Sequence, residues 1–201
     1  MVVIPIYKGD DERAVVLEAV KRITAGWKGQ IRFHMDDRDH LTPGFKFNEW
    51  ELKGIPLRME VGPKDVLKQS VALAQRVSFD APQPGAGGKE GRKPKSFVPQ
   101  AGLTEHIVKL LEDIQQGMFQ QALKFREDHT FEARNYDELK QAIEKGFARC
   151  WWAGSRQDEE KIQEETKATI RCIPLEQPGG SGKCVYTGKD ATQIAVFARA
   201  Y

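Results

Sequence analysis

Pro56-Leu57-Arg58-Met59-Glu60-Val61 alternates along the chain and puts Leu57, Met59 and Val61 on one face, the pattern of a half-buried strand. Just before it, Phe45 to Leu52 has helix-like spacing and is stopped by Gly54. Ile31-Arg32-Phe33-His34-Met35 alternates again, and Val2 to Tyr7 is a short apolar run suited to a buried strand. Between these two, Asp10 can cap a helix that turns Val15, Val16, Ala19, Val20 and Ile23 inward and ends at Gly26 and Gly29. Strand, helix, strand, short helix, strand is the rhythm of an α/β domain with a mixed sheet and crossover helices. After it, Val71 to Val77 adds a strand and Phe97-Val98 resumes the sheet edge. Residues 78–96 crowd Pro and Gly together with Lys89, Arg92, Lys93 and Lys95, which reads as a mobile hairpin tip or loop.

From Thr104 the pattern becomes that of a long helix, with Ile107, Leu110, Leu111, Ile114, Met118, Ala122 and Phe125 at steps of three and four; Met118 is assigned to the core. Asn135 with Glu138 opens a second helix stopped by Gly146, and Ser155 with Asp158 opens a third ending near Thr166. Ala168 to Leu175, Cys184 to Thr187 and Ile194 to Ala198 then read as strands between Gly/Pro turns. The expected organisation is an α/β domain over 1–101, a connecting helix over 102–127 and a small α+β domain over 128–201.

Composition narrows the class. The chain is 40% hydrophobic and 30% charged, enough apolar material for a core. It has no apolar run long enough to span a bilayer, and its start lacks the layout of a signal peptide. Three cysteines with no Cys-x-x-Cys pair argue against a disulfide framework, so a cytoplasmic protein without membrane association is expected. The net charge of +2 divides into +4 on residues 1–101 and −2 on 102–201, a lean that helps the first part meet a polyanion. No Walker-type glycine loop is present, and His34, His40, His106 and His129 stand in no recognisable catalytic arrangement.

The stretch Asp36 to Glu51 is richest in chemistry. Five carboxylates, Arg38 and Lys46 leave it net negative, so it is no simple phosphate patch, yet it holds acceptors, donors and aromatics close together. Single-stranded RNA is read by stacking splayed bases on aromatic or guanidinium planes and bonding their pairing edges. Guanine offers N1–H and N2–H beside the O6 acceptor; a carboxylate matches the donors, and Lys or Arg matches O6. On composition alone a solvated polar loop explains the same residues.

A family resemblance shifts that balance. Pro43-Gly44-Phe45-Lys46-Phe47, Glu49-Trp50-Glu51, Gly54-Ile55-Pro56-Leu57-Arg58 and Gly62-Pro63-Lys64-Asp65 resemble the anticodon-binding domain of prolyl-tRNA synthetases of the archaeal/eukaryotic-like form. Ile162-Gln163-Glu164-Glu165-Thr166, Ala168 to Pro174 and the ending Phe197-Ala198-Arg199-Ala200-Tyr201 resemble that family's C-terminal domain. The resemblance implies recognition of the guanines in the anticodon of proline tRNA. By position it assigns contacts to Asp37, Arg38, Phe45, Lys46 and Glu49, with Arg58 and Glu60 as neighbours and Trp50 and Leu52 left to packing. It also implies that the catalytic domain, with its ATP and magnesium, precedes this stretch, so the stretch itself is expected to be inert and to need no cofactor. Homodimers in the family form largely through catalytic domains, which implies a monomer here.

Many relatives bind a structural zinc through four cysteines, and the matching positions here are Ala153, Asp158, Cys184 and Thr187. With one thiolate of four, the expectation is no zinc, the fold being held by Trp151, Trp152, Ile162, Ile170 and Phe197. In the family a terminal aromatic carboxylate reaches toward the synthetase's own active site, the position of Tyr201. Two other readings stay open: a non-catalytic protein-interaction module, and a nonspecific RNA binder using the basic loop.

Overall fold

The computed structural model describes residues 1–27, 29–77 and 95–199. It is a mixed α/β protein that divides into two compact units, Met1–Phe119 and Gln120–Tyr201. Most of the basic loop (78–94) and Tyr201 lie outside the described residues.

In the first unit, β1 (Val2–Pro5) lies between β2 (His34–Met35) and β3 (Leu57–Val61), parallel to both; β4 (Ser70–Gln75) and β5 (Lys95–Pro99) extend the sheet antiparallel, giving the order β2-β1-β3-β4-β5. Helix α1 (Asp10–Thr24) connects β1 to β2, α2 (Pro43–Leu52) connects β2 to β3, and a single turn, α3 (Pro63–Leu67), precedes β4. The core is Val3, Val16, Val20, Trp27, Leu57, Met59, Val61, Val71 and Leu73, joined by Leu103 and Ile107 of α4 (Leu103–Asp128). Leu57, Met59 and Val61 are all fully buried, as the alternation predicts, each contributing about 1.5–3 kcal/mol.

Local chemistry sets the helix ends. Gly9, not Asp10, is the N-cap of α1; Asp10, Asp11 and Glu12 fill the first turn and Lys21 and Arg22 the last, complementing the helix dipole. Thr42 caps α2 by accepting from Phe45 N at 3.3 Å, Pro43 occupies the first position, and Gly54 at φ +76° lets the chain turn away after Lys53. Strand β2 is shorter than its alternation suggests, since only His34 and Met35 find pairing partners, in Val2 and Val3 of β1. In α4 only Leu103, Ile107 and Ile114 are buried. Met118 is 40% exposed, correcting its assignment to the core, and Ala122 and Phe125, which continue the apolar stripe, are exposed as well: a three-four spacing makes one face of a helix apolar without burying it along its whole length.

The second unit has a four-stranded sheet in the order β6-β7-β11-β8: β6 (Thr130–Glu132), β7 (Phe147–Trp152), β8 (Ala168–Cys172) and β11 (Gln193–Arg199). Helices α5 (Tyr136–Lys145) and α6 (Arg156–Thr166) are capped by Asn135 and Ser155 as expected. Ala148, Cys150, Trp152, Ile162, Ala195 and Phe197 are buried in its core, with Trp151 and Ile170 packed against it. Cys184 to Thr187 is not a strand but a turn, closed by Gly188 N to Cys184 O at 3.0 Å and Cys184 N to Lys189 O at 2.8 Å; the pairing residues flank it in β9 (Gly182–Lys183) and β10 (Asp190–Ala191). Two glycines seat the indoles: a Cβ on Gly182 would stand 2.2 Å from the Trp151 ring, and one on Gly154 2.3 Å from that of Trp152.

Candidate nucleic-acid interface

The residues singled out in the sequence fall into two groups on different sides of α2. The first surrounds Asp36, whose N–H donates to Val3 O at 2.9 Å, just past the end of β2. Its buried carboxylate accepts from Arg38 Nε at 2.8 Å, Arg38 Nη2 at 2.7 Å and Trp50 Nε1 at 2.7 Å. Arg38 also donates to Glu49 at 2.5 Å, and Lys53 holds the other Glu49 oxygen at 2.7 Å. Lys46, only 4% exposed, donates to Asp36 O at 3.1 Å and lies 3.9 Å from Asp36 Oδ1. Hydrogen bonds from Arg38 hold the Asp36 carboxyl well below the usual carboxylate range, against the opposing effect of burial. Burial pushes the Lys46 ammonium down while Asp36 pulls it up. Three of the expected contact residues, Arg38, Lys46 and Glu49, are thus bound into a partly buried ion network that links α2 to the end of β2. Asp37 and Phe45 are exposed and outside it.

The second group lines an open cleft of about 620 Å³ between α2 and the sheet. Phe47, Asn48, Trp50 and Glu51 come from the helix, and Arg58, Ala74, Arg76 and Lys95 from the sheet side. The Arg58 guanidinium lies 4.0 Å over the Phe47 ring, with Lys95 Nζ 5.1 Å from the same centroid. Glu60 is buried beneath them: one oxygen accepts from Arg58 Nε at 2.9 Å and the other from Lys95. An aromatic wall, a carboxylate and cations so placed can stack a base and meet both its donors and its acceptors.

Of the expected residues, the structure brings Arg58 and Glu60 to this cleft; Phe47, Glu51 and Lys95 were not singled out as contacts. The signal available was the 100° advance per helical residue. Phe45 and Glu49 share one face, Phe47 and Glu51 the nearly opposite one, and both pairs stand at i, i+4. The sequence alone favours neither pair. Trp50 is more than packing, since it walls the cleft and donates to Asp36, and Leu52 does not pack at all, being 89% exposed.

The positions matching the zinc cysteines do not fit the metal. Asp158 is engaged in capping α6, accepting from Ser155 N and Oγ at 2.8 Å each. Burial raises the Cys184 thiol, but hydrogen bonds from the Thr187 hydroxyl and from the N–H groups of Thr187, Ala153 and Tyr186 outweigh it and hold the thiol below its ordinary range. Ala153 offers no ligand atom, and a closed structural zinc needs four. Among the described residues no three His, Cys, Asp or Glu side chains gather into a metal-binding group, and no helix is long and apolar enough to cross a membrane.

Comparison with known proteins places the chain among its relatives. Residues 1–83 match the family model described as "Anticodon binding domain", and 136–201 match "Prolyl-tRNA synthetase, C-terminal". Over all 201 residues the chain is 62% identical to a protein named proline–tRNA ligase from Roseiflexus sp. (strain RS-1), and 62% identical to one of the same name from Chloroflexus aggregans. It is 41% identical to the chloroplastic/mitochondrial proline–tRNA ligase of Arabidopsis thaliana. It spans about 40% of the length of the two bacterial relatives and 36% of the plant one. The chain belongs to the prolyl-tRNA synthetase family, matching its anticodon-binding and C-terminal domains.

Proposed function

We propose that this chain recognises the anticodon of proline tRNA, as the RNA-reading part of a proline–tRNA ligase, and that the cleft between α2 and the sheet is where an unstacked guanine is held. The observation that carries this reading is the meeting of Phe47, Glu51, Arg58 and Lys95 around one open cleft. A base lies against the Phe47–Trp50 wall, Glu51 accepts from N1–H and N2–H, and Arg58 and Lys95 donate to O6. Exposed Asp37 and Phe45 form an outer rim. Arg38, Lys46 and Glu49 act from inside, fixing the helix that presents Phe47 and Glu51.

In this reading residues 1–101 bind RNA, 102–127 connect, and 128–201 form the C-terminal domain, without zinc. Catalysis, with its ATP and magnesium, and subunit pairing reside in the part of the longer relatives that this chain does not span; the chain works in the cytoplasm as a monomer unless joined to that part. Competition binding tests the assignment, using proline tRNA, an unrelated tRNA and a proline transcript with its anticodon guanines replaced. Preference for the first over both others is expected. Equal affinity for all three refutes base reading and leaves nonspecific RNA binding; no RNA binding at all leaves a protein-interaction module.

A further inference from the structure

Glu60 faces the cleft side of β3, two residues from Arg58 and therefore on the same face. Its carboxylate is buried at 4% exposure, a costly placement unless its oxygens are matched. They are matched by Arg58 Nε and by the Lys95 ammonium. The second partner lies far off in the sheet. Strand β4 separates β3 from β5, so the two backbones stand about 9–10 Å apart at the usual strand spacing. The register shows how the gap is bridged: Arg58 sits opposite Ala74, Glu60 opposite Ala72, and Ala74 opposite Lys95. Between Glu60 and Lys95, β4 presents Ala72 and Ala74 on the face that the two share, and the two long side chains meet across these methyl groups. Ala72 and Ala74 are each 4% exposed.

We propose that Glu60 is a positioning residue for guanine recognition, a buried counter-ion that holds Arg58 and Lys95 together over Phe47 without touching RNA, and that Ala72 and Ala74 are the small side chains that permit it. The proposal rests on the anticodon reading above. Two cations drawn to one aromatic ring repel each other, and each long side chain has many rotamers. A fixed carboxylate between them offsets the repulsion and selects one arrangement before the base arrives. Arg58 Nε is occupied by Glu60, so it is the outer edge of the guanidinium that is left to meet the base.

The test uses the chain as it is, with proline tRNA and the guanine-replaced transcript as probes, and reads the ratio of the two affinities beside the melting temperature. Glu60→Gln keeps the shape but removes the charge. Its expected effect is a loss of about ten- to a hundredfold in affinity for proline tRNA, the scale of a charge-assisted contact, with the replaced transcript bound as before. In an Arg58→Ala, Lys95→Ala background the same change should cost nothing further, because Glu60 acts only through those two. Glu60→Asp keeps the charge but reaches only one partner and should fall between. Ala72→Val, which leaves Glu60 intact and puts bulk under the bridge, should also lower the ratio, and it carries the test if Glu60→Gln melts too low to assay. A parallel loss on both RNAs, or a further loss in the double-alanine background, overturns the positioning role. So does an unchanged ratio in Glu60→Gln, or in Ala72→Val where that variant carries the test. If the unaltered chain fails to distinguish the two RNAs, the anticodon reading itself fails, a separate outcome.

Discussion

Replacing Asp36 with Asn probes the network that fixes α2, and its cost can be worked from the geometry. Asn preserves the shape and one acceptor oxygen, which keeps either the bond from Arg38 Nε or, on the other side, those from Arg38 Nη2 and Trp50 Nε1. Arg38 is about one-third exposed and keeps Glu49, so its loss is screened by solvent and small beside the one at Lys46. Lys46 is the larger matter: its ammonium is buried and, without the Asp36 charge, keeps only its bond to the Asp36 carbonyl, at a cost of up to about 3 kcal/mol. The total is about 3 kcal/mol, or a fall in melting temperature on the order of 6–12 °C. Thermal unfolding followed by circular dichroism at pH 7 measures it, with Asp36→Asn/Lys46→Met as the companion. If the stranded charge dominates, the companion recovers more than half the loss. A fall under about 3 °C, or no recovery in the double variant, refutes the argument. The pH dependence has a definite sign. The folded-state pKa of Asp36 is depressed, so its contribution is fully present above the unfolded carboxylate value of about 3.9 and is lost as pH falls toward the folded value. The gap between the original chain and Asp36→Asn should therefore be constant above about pH 5 and narrow below about pH 4.

Phe47→Ala should weaken proline-tRNA binding by about 1–3 kcal/mol while Phe45→Ala, at the rim, costs less; the reverse order in a filter-binding titration would place the base on the other face of α2. With Cys150 and Cys184 buried and Cys172 exposed, one thiol should react quickly with a chromogenic disulfide in the folded chain and three after denaturation. Burial also pushes the Cys150 thiol up to about 12, so it stays unreactive at neutral pH. Gly182→Ala drives a methyl into the Trp151 ring and should destabilise the second unit by about 1–3 kcal/mol by chemical denaturation. Chelators should leave the melting temperature unchanged; a full equivalent of zinc that survives dialysis and disappears in Cys184→Ser would contradict the metal-free reading.

Much of the architecture was legible because local and long-range preferences agree. Leu57, Met59 and Val61 alternate and are buried; Asn135 with Glu138 and Ser155 with Asp158 announce helices that form there. Strand β7 carries no such signal although it pairs with both β6 and β11: Phe147 to Trp152 is a short run lying between two capped helices, and only its partners reveal the alternate burial of Ala148, Cys150 and Trp152. Cys184 to Thr187 carries strand-forming residue types, yet backbone bonds across the turn win. The cleft was legible as chemistry but not as place. Acidic, basic and aromatic residues near Pro43 were the right kinds of residue, but which face of α2 lines the cleft shows only once the fold brings Arg58 and Lys95, distant in the sequence, opposite it.

The placement of the tryptophans has an experimental use. Trp27 and Trp50 belong to the first unit, the one sealed in the core and the other anchored on a carboxylate, while Trp151 and Trp152 rest against glycines in the second. Converting either pair to phenylalanine leaves emission from one half of the molecule alone. Denaturation can thereby be watched half by half, without an attached label, to learn whether the two units melt as one or in turn.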